Sequence, residues 1–388
     1  MCVAWGSHAH EVSNLGHASV SPLFDNRTAN APVAGDALAP LVIRFGAIGD
    51  LVLLTPLLHT LHQRYGCPCR LVGSGAWMEP LLEGNPDIQS LWRLRSRRTP
   101  YALEPTQWRL VAALHALPPC PVYVCDEHAL DKVRWLLARA GIAPDRCLYV
   151  SDMPRLAGDE HWVDYWLQFG DCTPPAFDSK AMSARSIDRW LAPRLFVRDA
   201  DRADLAQWLR ERGLQDKPLI LLQPGNKRTF KRGRLGRLGD EKAWPIGRWA
   251  AVASAIAQYR PDAHLVLCGA PVETRLLRDI QFAVTEDVVH VAAQDLPLRR
   301  LLALLEIAEA MVSVDTGPAH IAAALGCPLI VLYGDASPAH WLPRSPSGSA
   351  VLALGGPPVS NRVSAISVDE VLAAWQRITP RTSIAIAR

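Results

Sequence analysis

Ser313-Val-Asp-Thr-Gly-Pro-Ala-His320, continued by Ile-Ala-Ala-Ala-Leu-Gly326, decides how this chain is read. Apolar residues run into it from Ala310-Met-Val-Ser-Val314 and spell a buried strand. Ala319–Leu325 reads as the helix that follows. Asp315 or Thr316 can cap that helix, and Pro318 suits its first turn, where no backbone donor is needed. A strand, a tight glycine turn and a helix N-terminus make a site for an anion such as a diphosphate. Taken alone, the same residues also fit an ordinary strand-to-helix turn of an α/β protein.

Pro40-Leu-Val-Ile-Arg-Phe-Gly-Ala-Ile-Gly-Asp50 repeats the pattern near the other end. It reads as a strand, a glycine turn and then a helix over Leu51–Tyr65, with Asp50 at the helix mouth. The spacing Gly-x-x-Gly-Asp is not the dinucleotide fingerprint Gly-x-Gly-x-x-Gly, and no Lys-Ser/Thr follows as in a Walker loop. Open parallel sheets bind ligands at the carboxyl ends of their strands. Two such sheets facing each other would place both loops on one cleft.

With these segments stand Leu221-Leu-Gln-Pro-Gly-Asn-Lys-Arg228, Lys242-Ala-Trp-Pro-Ile-Gly-Arg-Trp249 and Gly269-Ala-Pro-Val-Glu273. In this order, over most of residues 40–377, they resemble glycosyltransferase family nine, the ADP-heptose:lipopolysaccharide heptosyltransferases and their relatives. The resemblance implies a GT-B fold, two Rossmann-like domains with parallel sheets facing an interdomain cleft. It also implies an inverting, metal-independent transfer of a sugar from a nucleotide-activated donor, with no cofactor beyond that co-substrate.

Such a reaction needs a base for the acceptor hydroxyl, stabilisation of the departing diphosphate, and exclusion of water. Asp50 matches the family's catalytic aspartate; read without the family, an Asp before an apolar helix is also a good cap. The diphosphate is expected on the loop Asp315–His320, with the N–H groups of Thr316, Gly317, Ala319 and His320 as candidate donors. Pro318 has none. Asp315 more plausibly holds the loop than touches phosphate, because like charges repel. His320 can donate to a phosphate oxygen or simply pack. Lys242 matches the family's Lys-x-Trp-Pro, and a point charge there would neutralise the leaving diphosphate.

Gln223-Pro-Gly225-Asn226 occupies the place of a family phosphate loop, but Gln223 and Asn226 depart from its usual residues. Glu273 matches a family carboxylate for the ribose hydroxyls, and Leu296 falls where the base is held. The stretch Lys227–Glu241 is rich in Arg and Lys and interrupted by glycines. It is either a solvated insertion or an anion-binding loop, with Arg228, Lys231, Arg232 and Arg234 as its candidate contacts.

The 388 residues suffice for two domains. Apolar content of 49%, charge of 20% and a net charge of +3 fit a soluble globular protein without a nucleic-acid field. The nine cysteines are scattered, which fits free thiols in a reducing compartment. No apolar run reaches the roughly 20 residues of a membrane span, and residues 1–39 lack the basic start and apolar stretch of a signal peptide. That segment reads as a mobile tail.

Strand–helix alternation then defines an acceptor-side domain over 40–195, a linker and helix over 196–217, and a nucleotide-sugar-binding domain over 218–388. The pattern weakens between Ser151 and Pro193. Trp162 and Trp166 share a helical face, which usually means packing. The last helix, Val368–Arg377, is of the kind that in GT-B proteins often returns to the N-terminal domain.

The expected function is transfer of a heptose from ADP-heptose to a lipopolysaccharide-core acceptor, an anionic glycolipid or glycan. The setting is the cytoplasm, with peripheral contact to the inner membrane face left open. The alternatives are another nucleotide sugar or acceptor on the same fold, or a non-catalytic GT-B module that binds one. A Rossmann dehydrogenase is disfavoured by the missing fingerprint.

Overall fold

Eleven strands form two wholly parallel sheets among the residues that the computed structural model describes, 38–94, 105–127, 130–156, 158–177, 188–226 and 242–381. The first sheet contains β1 (Leu41–Arg44), β2 (Cys69–Ser74), β3 (Ile88–Leu94), β4 (Val122–Val124) and β5 (Cys147–Tyr149), in the order β3-β2-β1-β4-β5. The second contains β6 (Leu219–Gln223), β7 (His264–Cys268), β8 (Val289–Ala292), β9 (Ala310–Val314), β10 (Leu329–Tyr333) and β11 (Val351–Gly355). Its order is β11-β10-β9-β6-β7-β8.

The central strands are buried along their whole length, as near-continuous apolar runs in a parallel sheet should be. The strand order reverses beside β1 in the first sheet and beside β6 in the second. The loops after β1, β6 and β9, which the sequence marks as functional, therefore stand at the two topological switch points.

The helix Ile48–Tyr65 is apolar around most of its circumference, so it cannot lie on a surface. It is covered on one side by the helix Trp162–Asp171 and on another by Gly317–Ala324 of the second domain. Gly66, left-handed at φ 69°, ends it. One continuous apolar cluster runs from Val42 and Leu51 through Trp166 to Ala319 and Tyr333, so the domains share a core rather than a hinge alone. Both sheets lie in one compact unit.

Three differences from the sequence reading have physical reasons. The helix Trp162–Asp171 fills part of the region where the pattern seemed to weaken; it is amphipathic but rich in aromatics, and Trp162 stacks on Trp166 at 5.3 Å. The helix Asp199–Glu211 behaves as more than a linker, because Arg202 pairs with Glu306 and Trp208 donates to Asp295, both on the second domain. The helix Val368–Arg377 does not return to the first domain. Its Val371, Ala374 and Trp375 pack on Trp244 and Trp249 within its own.

Polar pins cross between the domains at two places. Arg299 donates to the carbonyls of Pro80 (3.0 Å) and Phe196 (3.1 Å) and pairs with Asp201. On the other side Arg344 grips Asp164 bidentately, His340 bonds the Glu160 carbonyl at 2.7 Å, and His161 bonds the Leu342 carbonyl at 2.8 Å. His161 Nδ1 accepts from Val163 N–H at 3.1 Å and so caps the helix it precedes. Its other nitrogen must then carry the proton.

Burial, and next the Arg344 guanidinium, push this imidazole from 6.5 down to about 4. A base whose folded pKa is lowered gives stability in full above its unfolded value and loses it as pH falls toward the folded one. His161 should therefore cost up to about 3 kcal/mol between pH 6.5 and 4. In urea titrations His161→Asn should be less stable than the parent by a constant amount above pH 6.5, and the gap should close below it. A gap independent of pH down to 4 would contradict the assignment.

Candidate active site

Asp50 is not the N-cap. The helix starts three residues earlier than the sequence suggests, so Asp50 is its third residue, and Oδ2 reaches back to Ala47 N–H at 2.6 Å. Gly46 makes this possible, because a Cβ there would run into the Asp50 side chain. Oδ1 accepts from Arg44 at 2.7 Å. Arg44 ends β1, donates also to the Cys125 carbonyl at 2.5 Å, and lies 5.3 Å from the Trp166 ring centroid. The carboxylate is thus fixed and charge-compensated, yet each oxygen keeps acceptor capacity.

The helix Gly317–Ala324 begins with Thr316 at its N-cap and Pro318 in its first turn, although no side chain closes the cap. Asp315 instead takes the ammonium of Lys242. Of the four expected backbone donors, Ala319 is spent inside the turn, donating to Thr316 O at 3.1 Å. Thr316, Gly317 and His320 line the cleft. His320 is buried, and its Nδ1 has no partner among the described residues. Burial pushes its imidazole pKa down, opposed by the nearby Asp315 and Asp50 carboxylates. At neutral pH it is an uncharged donor–acceptor.

The two loops touch. A Cβ on Gly49 would stand 2.9 Å from His320 Cδ2, and one on Gly317 would stand 2.8 Å from Ile48 Cβ. Glycine at both positions lets the helix N-termini, one from each domain, meet in van der Waals contact.

On one side of this contact lies a cavity of about 640 Å³, lined by Gly225, Asn226, Glu273, Leu296, Trp77 and Pro318 among others. Glu273 is buried there; Oε2 accepts from Ala270 N–H at 2.7 Å, and the group packs on Gly225 and Gly269. Burial raises its pKa, with only the Ala270 amide opposing. With no cation paired to it among the described residues, this carboxylate favours hydroxyl donors. Gln223 holds the Gly225 carbonyl at 3.0 Å, and Asn226 approaches the Lys242 carbonyl at 3.5 Å. These departures from the family loop thus bind their own backbone.

On the other side a cavity of about 320 Å³ is lined by Asp50, Lys242, Asp315, His320, Asp335 and Trp341. The two cavities share Ala47, Gly49, Thr316 and Gly317. The site residues expected from the sequence line this double cleft, apart from Ala319, whose N–H is spent in the turn, and Arg228, Lys231, Arg232 and Arg234, which lie outside the described residues.

The comparisons with known proteins meet this geometry. Residues 193–365 match the model of glycosyltransferase family 9 (heptosyltransferase). Lipopolysaccharide heptosyltransferase 3 of Escherichia coli is 25% identical over 312 residues, 76% of this chain and 84% of that protein. The chain is a family 9-like glycosyltransferase. Lipooligosaccharide heptosyltransferase 2 of Haemophilus influenzae is 26% identical over 81% of this chain and 89% of its own length. Among solved structures, E. coli ADP-heptose heptosyltransferase II shares the fold of this transferase at TM-score 0.66 and 20% identity. That match covers 88% of this chain and 98% of the other.

Trp77, Arg44, Asp335 and Trp341 had no place in the sequence reading of the transferase. Asp335 was within reach of it, because it follows β10 at the same sheet end as the two loops. Trp341 lies in a four-residue helix that carries no periodic signal.

If the contact between the loops sets the cleft, Gly317→Ala should cost about 1–3 kcal/mol in urea unfolding through overpacking against Ile48. It should also slow turnover. Stability and rate both equal to the parent would show that the contact gives way freely.

Proposed function

We propose that this glycosyltransferase moves a heptose from ADP-heptose to a lipopolysaccharide-core acceptor, with inversion and without a metal. The observation that carries the reading is the double cleft. Asp50 reaches it from one domain, and the Thr316–Gly317 helix terminus, Lys242 and Glu273 reach it from the other. The names of the relatives, all lipopolysaccharide or lipooligosaccharide heptosyltransferases, support the donor and acceptor classes.

Glu273 would take the ribose diol with its two oxygens, and Leu296 would pack on the base. The diphosphate would lie on the N–H groups of Thr316 and Gly317, where the helix dipole favours negative charge. Lys242 sits beside this point, tethered to Asp315, and can lean toward the phosphate as charge builds. His320 adds a neutral donor.

Asp50 accepts the proton of the acceptor hydroxyl while that oxygen bonds to the anomeric carbon. The bond from that carbon to the phosphate oxygen breaks, and the nucleoside diphosphate leaves with the electron pair. One displacement from the face opposite the leaving group inverts the centre. Arg44 orients the base through its 2.7 Å contact with Oδ1, and the shared apolar core behind both loops limits water.

Asp50 and Asp315 are each already paired with a cation, Arg44 and Lys242. The fixed positive charges would do the work that a divalent ion does elsewhere. No helix among the described residues is long and apolar enough to cross a membrane. On this reading the enzyme works in the cytoplasm and meets its glycolipid acceptor at the membrane face.

Asp50→Asn should keep ADP affinity and lose about 100- to 10,000-fold in turnover, the scale of a missing general base. In the same assay the parent should turn over fully in excess EDTA. Turnover of the variant near that of the parent would leave Asp50 a cap only. Loss in EDTA restored by magnesium would overturn the metal-free mechanism.

A further inference from the structure

The smaller cavity contains two side chains that the transfer step does not use, Asp335 and Trp341. If the nucleoside fills the larger cavity and the diphosphate lies at the shared wall, whatever hangs from the second phosphate must enter the smaller one. We infer that Asp335 and Trp341 form the subsite that grips the transferred sugar. The inference rests on the donor reading above and extends it to the sugar itself.

The chemistry is that of a carbohydrate site. A sugar offers apolar C–H faces and a rim of hydroxyl donors. An indole covers the first, and a carboxylate accepts from the second. Asp335 follows β10 at the sheet end facing the cleft.

Trp341 is held in place by its surroundings. The Tyr333 hydroxyl donates to its carbonyl at 3.0 Å. Its neighbours on either side are tied to the first domain, His340 to the Glu160 carbonyl at 2.7 Å and Leu342 O to His161 at 2.8 Å. Trp162 backs the ring at 5.5 Å between centroids and in turn stacks on Trp166. An indole fixed from three directions at the rim of a polar cavity loses little entropy when a ligand packs on it. The same pins make the subsite depend on both domains, although both residues belong to the second.

The test is calorimetric titration of the full chain with ADP and with ADP-heptose. Trp341→Ala should weaken ADP-heptose about tenfold, the scale of one aromatic contact, and leave ADP within about twofold. Asp335→Asn should act in the same sense, and Trp341→Phe should keep most of the affinity.

If ADP and ADP-heptose weaken together, or neither changes, the subsite is refuted. Should Trp341→Ala fail to fold, Trp341→Phe and Asp335→Asn carry the decision: parental ADP-heptose affinity in both would refute it. A parent that binds neither ligand sinks the donor reading and the subsite with it. A parent that binds both, with all variants unchanged, sinks the subsite alone.

Discussion

The contact of two helix N-termini, Ile48-Gly49 against Gly317 and His320, is the constraint on which the rest of the structure depends. Each helix follows a central strand at a switch point of its own sheet, so each terminus is already aimed at the cleft. Glycine at positions 49 and 317 removes the side chains that would hold the two apart. The small residues Ala319 and Ala322 to Ala324 let the second helix bury itself in the shared core. A base from one domain and an anion site from the other thereby come into adjoining walls of one cleft without a long loop to place either.

Electrostatics sort the cleft into regions. Asp50 and Asp315 each face a cation, Arg44 and Lys242. Glu273 is different: burial raises its pKa, and the Ala270 backbone amide opposes that shift. A buried carboxylate in that state is a standing request for donors, which a ribose would meet. Lys242 has its partner in Asp315. The positive end of the Gly317–Ala324 helix is the feature that singles out where an anion would lie.

Much of this was legible in the sequence because parallel sheets announce themselves as continuous apolar runs. The strand Ala310–Val314 and the helix Val368–Arg377 match the sequence reading to the residue. Two edge strands carry too weak a signal to be read: β5 has three residues, and β11 is half-buried along its length. The place of Asp50 shifted because backbone geometry, not residue type, decides whether an acid is the N-cap or the third helical residue. Trp341 was out of reach for another reason. Its position depends on hydrogen bonds to residues about 180 positions away, and no local pattern records those.

The account stands or falls on a nucleotide lying across the contact of the two helices. The direct measurement is thermal unfolding of the full chain with ADP, GDP, UDP and dTDP, repeated on Glu273→Ala. One of the four should stabilise the parent, by about 2.7 kcal/mol at a hundredfold excess over its Kd, and lose that effect in the variant. If all four leave the parent's melting temperature unchanged, the cleft is not a nucleotide site and the central claim is wrong.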